Sequence, residues 1–138
     1  MQNLFNLNPI SEKKASIISS QTLAFVGDAV HSLFIRQKVV LSNKFKIKDL
    51  HLTTVQYVKA GGQSEASAKL IDEFNFQELA IYKRARNYKT TNISKNSSVG
   101  DYKRATGFEA VLGFLYLSGQ FDRLQFILNK SLGEHYDN

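Results

Sequence analysis

Cysteine is absent from the 138-residue chain, which excludes a disulfide framework, thiolate zinc and iron–sulfur sites, and cysteine nucleophiles. One proline and 8 glycines rule out collagen-like and linker-like compositions. No apolar run approaches the roughly 18 residues needed to span a bilayer. The N-terminal stretch MQNLFNLNPI has neither the basic start nor the apolar segment of a secretory signal. No membrane association and a cytoplasmic location are therefore expected. What is present is a 43% hydrophobic complement that includes 10 Phe and 6 Tyr. A chain of this length can bury roughly two-thirds of its unfolded surface, so a single domain over 1–138 is expected.

The net charge is +6, and its placement says more than its size. Between Lys83 and Arg104 lie Lys83, Arg84, Arg86, Lys89, Lys95, Lys103 and Arg104, opposed by Asp101 alone. The rest of the chain is charge-balanced, so the whole excess is local. The middle of this window, RNYKTTNISKNSSVG, interleaves cations with hydroxyl and amide side chains. Such groups reach phosphate oxygens and ribose hydroxyls, which points to a nucleic-acid backbone as partner. The blander alternatives are a solvated loop that aids solubility and, for Lys83, Arg84 and Arg86, cations complementing a helix C-terminus.

Apolar residues recur at three- and four-residue spacing and rarely alternate, so the fold class expected is all-α. Helices are predicted over about 11–20, 21–41, 50–61, 64–74, 76–87, 100–117 and 121–132, with a basic turn over 43–48. In the second of these, Leu23, Val26, Val30, Leu33 and Phe34 form the apolar stripe. Gly27 inside that helix costs roughly 1 kcal/mol relative to alanine, a sign that another helix packs closely against it. Asn75 with Glu78, and Ser98 with Asp101, have capping-box spacing. The sixth helix has Ala105, Phe108, Val111, Leu112 and Leu115 as its stripe, and Ser118–Gly119 closes it.

Two acids stand inside apolar helical runs: Asp28 in LAFVGDAV and Glu109 in TGFEAVLGFLYL. A buried carboxylate costs several kcal/mol unless something compensates it. Arg36 or Arg104 could pair with one of them, or a helix terminus could satisfy it. A shared cation would settle both. Two helix-borne carboxylates meeting across an interface offer hard oxygen ligands suited to Mg²⁺ or Mn²⁺, the arrangement that activates water against a phosphodiester. His31 reads as a packing or surface residue rather than a ligand.

Three blocks in order carry a family resemblance: L-A-F-V-G-D-A-V from Leu23 to Val30, K-R-A-R-N-x-K from Lys83 to Lys89 with K-N-S-S-V from Lys95 to Val99, and Y-K-R-A-T-G-F-E-A-V-L-G-F-L-Y-L from Tyr102 to Leu117. The sequence resembles the catalytic domain of the ribonuclease III family, and within it the short Mini-ribonuclease III form that lacks a double-stranded-RNA-binding domain. The resemblance implies a ribonuclease III-like helical endonuclease domain in which Asp28 and Glu109 are the catalytic carboxylates that hold the metal, Mg²⁺ with Mn²⁺ as substitute. It implies a homodimer with Phe25 at the interface. The implied substrate is double-stranded RNA, the large-subunit (23S) ribosomal RNA precursor, cut to 5′-phosphate and 3′-hydroxyl ends. RNA contacts are expected from Lys83, Arg84, Arg86, Asn87, Lys89, Lys95, Asn96, Lys103 and Arg104.

The chain departs from the family pattern at several places. Further family acids are replaced by Gln21, Ala24 and Thr106, and the Tyr-Glu that usually follows the signature in the Mini form is His31–Ser32. Asp101 is the candidate accessory acid. These departures sustain a second reading, a non-catalytic RNA-binding or ribosome-associated protein on the same fold. A helical DNA-binding module is a third reading, weakened because no helix combines basic and amide side chains as a groove reader does.

Overall fold

The computed structural model describes residues 8–42, 47–89 and 98–132. Among them it forms seven helices and no strand: α1 (Glu12–Ser16), α2 (Ser20–Leu41), α3 (Ile47–Val58), α4 (Ala60–Leu70), α5 (Phe76–Arg86), α6 (Val99–Leu117) and α7 (Phe121–Leu132). The expected all-α class holds. No helix among the described residues is long and apolar enough to cross a membrane.

Helix α6 is the axis of the molecule. Its residues Ala105, Gly107, Phe108 and Ala110–Leu115 are all buried, so no strip of that stretch faces water continuously. An apolar helix without a polar face requires cover on every side, and α2, α4, α5, α7 and α1 provide it. Its ends are defined locally. The Ser98 hydroxyl accepts from the Asp101 N–H at 3.0 Å. Gly119, at φ 72°, takes the left-handed turn, with Gly119 N–H donating to Tyr116 O at 3.1 Å and Gln120 N–H to Leu115 O at 2.9 Å. That pair of bonds is a Schellman closure, and it turns the chain into α7.

The capping box of α5 forms as its spacing predicts: Glu78 N–H donates to Asn75 Oδ1 at 2.8 Å and Asn75 N–H to Glu78 Oε1 at 3.0 Å. Glu78 is fully buried, and its carboxylate also receives Arg123 of α7 at 2.8 Å on each oxygen. One acid thus caps α5 and ties it to α7.

Three expectations shift. The buried stripe of α2 is Ser20, Leu23, Ala24, Gly27, His31, Ile35 and Val39, while Leu33 is half exposed. The helix is rotated from its most apolar face because Gly27 permits an approach that a bulkier face would block. The division between the third and fourth helices falls at Lys59, so the glycine pair near the start of α4 is helical rather than a break. Helix α4 turns Gln63, Ser64 and Ser67 inward. A polar buried face of that kind leaves no hydropathy signal. Within the expected basic turn, residues 43–46 lie outside the described residues, and Ile47 and Lys48 already belong to α3.

Candidate active site

The site is set by the crossing of α2 on α6. Gly27 lies against the backbone carbonyl of Glu109, and Gly113 against that of Leu23, so closely that a Cβ on either glycine would overlap the facing oxygen. Helices normally pack with axes 8–10 Å apart, held off by side chains. Glycine at both contacts removes that spacer. Asp28 follows Gly27, and Glu109 is itself the contact residue, so the two acids are delivered to one place. The Asp28 carboxyl lies close enough to that of Glu109 to raise its proton affinity through hydrogen bonding and charge.

The acids differ in environment. Asp28 is exposed and Glu109 half-buried, which corrects the expectation that both are enclosed by apolar surface. Asp28 follows the glycine contact but stands on the rim of the interface rather than inside it. Burial, then the hydrogen bond and charge of Asp28, push the Glu109 carboxyl up to about 9. A hydrogen bond from Gln63 acts in the opposite sense. Among the described residues no Lys or Arg pairs with either acid; the ion pairs found there are Arg104–Asp101 and Arg123–Glu78.

A neighbouring carboxylate, with no cation between the two, favours the protonated form of Glu109. Hard divalent ions take such oxygen donors, so the pair fits Mg²⁺ or Mn²⁺ in that proton's place. No third His, Asp or Glu joins them among the described residues to make a three-ligand cluster. Water and substrate oxygens would complete the coordination of an ion held here.

Of two further neighbours of the pair, Gln63 and His31, the first escaped sequence reasoning. Gln63 of α4 is buried, and its Nε2 lies 3.2 Å from His31 Nδ1 and 3.3 Å from Glu109 Oε2. His31 is buried, its ring edge-on to Phe108 with centroids 5.0 Å apart. The packing role expected of His31 holds. Gln63 stands in the run AGGQSEASAKL, where nothing in composition marks it as part of a site.

These pKa shifts imply a pH dependence for the metal-free protein. Below about 4.5 Glu109 is protonated whether folded or not. Between there and about 9 the unfolded chain releases the proton and the folded chain keeps it, so Glu109 makes stability fall as pH rises. Burial, against the pull of Asp28, lowers His31 from 6.5 to about 4, so His31 makes stability fall as pH drops through that interval. The two slopes offset each other from 4.5 to 6.5. From pH 6.5 to 9 the melting temperature in EDTA is expected to decline, and Glu109→Gln to flatten the decline, as thermal scans across that range would register.

Asp101 is not brought to the pair. It lies eight residues before Glu109 on α6, about 12 Å along the axis, and its carboxylate meets Arg104 at 3.1 Å. The Ser64 hydroxyl and Arg104 hold it below the usual carboxylate range. Its carboxylate is engaged by Arg104 and Ser64, away from the pair expected to need an accessory acid. Gln21 and Thr106, where family acids are missing, line one small cleft with Ala85, Tyr88, Tyr102 and Lys103. Ala24 is buried.

The basic window separates into two groups. Arg84 donates to Ser16 O at 2.7 Å, Ile18 O at 2.8 Å and Ser20 Oγ at 3.1 Å, closing the C-terminal end of α1 and the start of α2. Arg104 donates to Ser64 Oγ at 2.7 Å besides its pairing with Asp101. Both guanidinium groups thus serve as internal ties, although both side chains remain exposed. Arg86 lies over the Tyr82 ring at 5.6 Å and bonds Asn87 Oδ1 at 3.3 Å. Lys83, Asn87 and Lys89 are exposed, and Lys103 is half-buried. Lys95 and Asn96 lie outside the described residues. Phe25 is 80% exposed on α2.

Residues 21–120 match the model of the Ribonuclease III domain. The chain is 42% identical over 129 residues to Mini-ribonuclease 3 of Thermoanaerobacter sp. (strain X514), covering 94% of this chain and 91% of that protein. It is 38% identical over 116 residues to Mini-ribonuclease 3 of Staphylococcus aureus (strain NCTC 8325 / PS 47), covering 83% and 87%. A crystal structure of a Fusobacterium nucleatum protein superposes with a TM-score of 0.77 at 31% identity, covering 89% of this chain and 97% of that one.

Proposed function

Because the chain belongs to the ribonuclease III family, we propose that it is a Mg²⁺-dependent endoribonuclease of double-stranded RNA with Asp28 and Glu109 as its catalytic, metal-holding pair. The contact between these two carboxylates, with no Lys or Arg paired to them among the described residues, carries the reading. A bound Mg²⁺ or Mn²⁺ would polarise a phosphate oxygen and acidify a water. The chain's part is to present two oxygen donors at a fixed separation, with Glu109 anchored on the buried helix and Asp28 open to substrate. Hydrolysis breaks the bond from phosphorus to the 3′ oxygen and leaves 5′-phosphate and 3′-hydroxyl ends. The 23S ribosomal RNA precursor is the proposed natural substrate.

A duplex presents two antiparallel strands related by a local two-fold axis, so a symmetric homodimer can apply one acid pair to each strand. Phe25 is an apolar ring left uncovered among the described residues, three residues from Asp28, and a second copy would cover it.

Duplex RNA incubated with the purified protein is expected to be cut in Mg²⁺ or Mn²⁺ and left whole in EDTA. The new 5′ ends should accept a radioactive phosphate only after phosphatase treatment. Cleavage that ignores EDTA would refute the metal-held pair. The small ligand set also favours a second reading, a non-catalytic RNA-binding or ribosome-associated protein, for which duplex binding without turnover in either condition is the signature.

Binding is expected to rely on the cations not used internally. Replacing Lys83, Lys89 and Lys103 with alanine should weaken duplex binding alike across sequences. It should also reduce the salt slope by roughly 0.9 for each phosphate that is no longer neutralised. Filter-binding titrations from low to high salt measure both, and an unchanged slope would count against a phosphate track here. Arg84→Ala is expected to loosen α1 instead and leave the slope as it was.

A further inference from the structure

The acid pair accounts for two polar side chains at the crossing, but Gln63 and His31 are buried beside it with no part in the chemistry so far. Both are 2% exposed. Gln63 Nε2 stands within hydrogen-bond distance of His31 Nδ1 at 3.2 Å and of Glu109 Oε2 at 3.3 Å. A primary amide nitrogen carries two hydrogens, one for each of these acceptors.

The amide could also turn end for end and set its carbonyl against Glu109, where it would repel a carboxylate. The tautomer of the imidazole decides between the two. His31 is enclosed, with its ring edge against Phe108, the residue before Glu109. A neutral ring with its proton on Nε2 offers Gln63 only the acceptor Nδ1. Only the NH₂ end of Gln63 then satisfies both neighbours. The chain of contacts joins α2, α4 and α6 at the reacting carboxylate, and groups that orient a metal ligand in this way set how well it binds.

We propose that Gln63, with its amide orientation locked by His31, is a positioning residue that aims the Glu109 carboxylate at the divalent ion it shares with Asp28. The proposal rests on the endonuclease reading, and the test separates the two.

Gln63→Met removes both donors at similar length. It is expected to lower kcat about 10–100-fold and to weaken Mn²⁺ binding by a similar factor, while KM for duplex RNA stays unchanged. Mn²⁺ calorimetry on the RNA-free protein reads the second effect without any turnover. Gln63→Glu keeps the shape but turns a donor into a negatively charged acceptor, and should lose at least as much kcat. His31→Phe keeps the edge contact with Phe108 and frees the amide, giving a smaller loss of the same kind.

Because His31 acts through Gln63, the double variant Gln63→Met/His31→Phe should be no worse than Gln63→Met alone. Additive losses would overturn the proposal, as would a rise in KM with kcat intact. Parental kcat and Mn²⁺ affinity in Gln63→Glu would also overturn it, even if Gln63→Met fails to fold. If the parent protein itself cuts no duplex RNA, the endonuclease reading falls, and calorimetry alone judges Gln63: weaker Mn²⁺ binding in its variants upholds the role and equal binding ends it.

Discussion

Asp28→Asn is expected to abolish duplex RNA cleavage, by on the order of 1000-fold or more, while leaving duplex binding in place. The size follows from losing one of two protein donors to an ion whose stabilisation of charge in the transition state is worth several kcal/mol. The specificity follows from exposure. Asp28 stands on an open face of α2 and none of the ion pairs among the described residues includes it, so exchanging one oxygen for an amide alters its interaction with Glu109 but no core packing. Loss of turnover with an unchanged melting temperature and unchanged gel-shift affinity would place the defect in the chemistry. Full activity in this variant would remove Asp28 from the reaction.

The largest stability change is expected from Gly27→Ala. In an exposed helix interior this exchange gains roughly 1 kcal/mol, but here the added methyl would occupy the position of the Glu109 carbonyl oxygen. Backbone cannot rotate aside as a side chain can, so the helices must separate along the most extensive helix–helix contact among the described residues. Overpacking of well-filled cores costs about 1–3 kcal/mol and occasionally more, and a backbone clash belongs at or beyond the upper end. Gly113→Ala, against Leu23 O, is expected to behave alike. Gly100→Ala is the contrast, because its methyl would meet only the movable tip of Arg104 at 3.1 Å. Thermal unfolding should show a large drop for the first two and little change or a small gain for the third. Comparable melting temperatures for Gly27→Ala and Gly100→Ala would show that the crossing is looser than described.

Much of this was legible in the sequence, for identifiable reasons. The boundaries of α5, α6 and α7 follow from a capping box, a serine cap and a Ser-Gly stop, which are local signals that tertiary packing did not override. Gly27 announced a close helix contact, and the structure supplies its partner. The two acids could be singled out by their apolar setting, although that setting misjudged how exposed Asp28 is. What could not be read was the function of small and polar residues. Hydropathy ranks Leu33 above His31, yet Leu33 is half exposed and His31 buried, because the glycine contact rather than the hydrophobic pattern fixes the rotation of α2. Gln63 and Ser64 are inward for the same kind of reason: their partners, Glu109 and Arg104, lie on another helix. Arg84 and Lys83 carry the same charge and differ in the fold, since Arg84 reaches the open carbonyls at the end of α1 while Lys83 is exposed.

Glu109 projects from the helix that α2, α4, α5 and α7 enclose. Backbone amide hydrogens around it are expected to exchange with solvent only when the bundle as a whole opens, so the Glu109 carboxylate would share the slowest fluctuations of the molecule. Heat or denaturant strong enough to blur its aim would already be melting the protein.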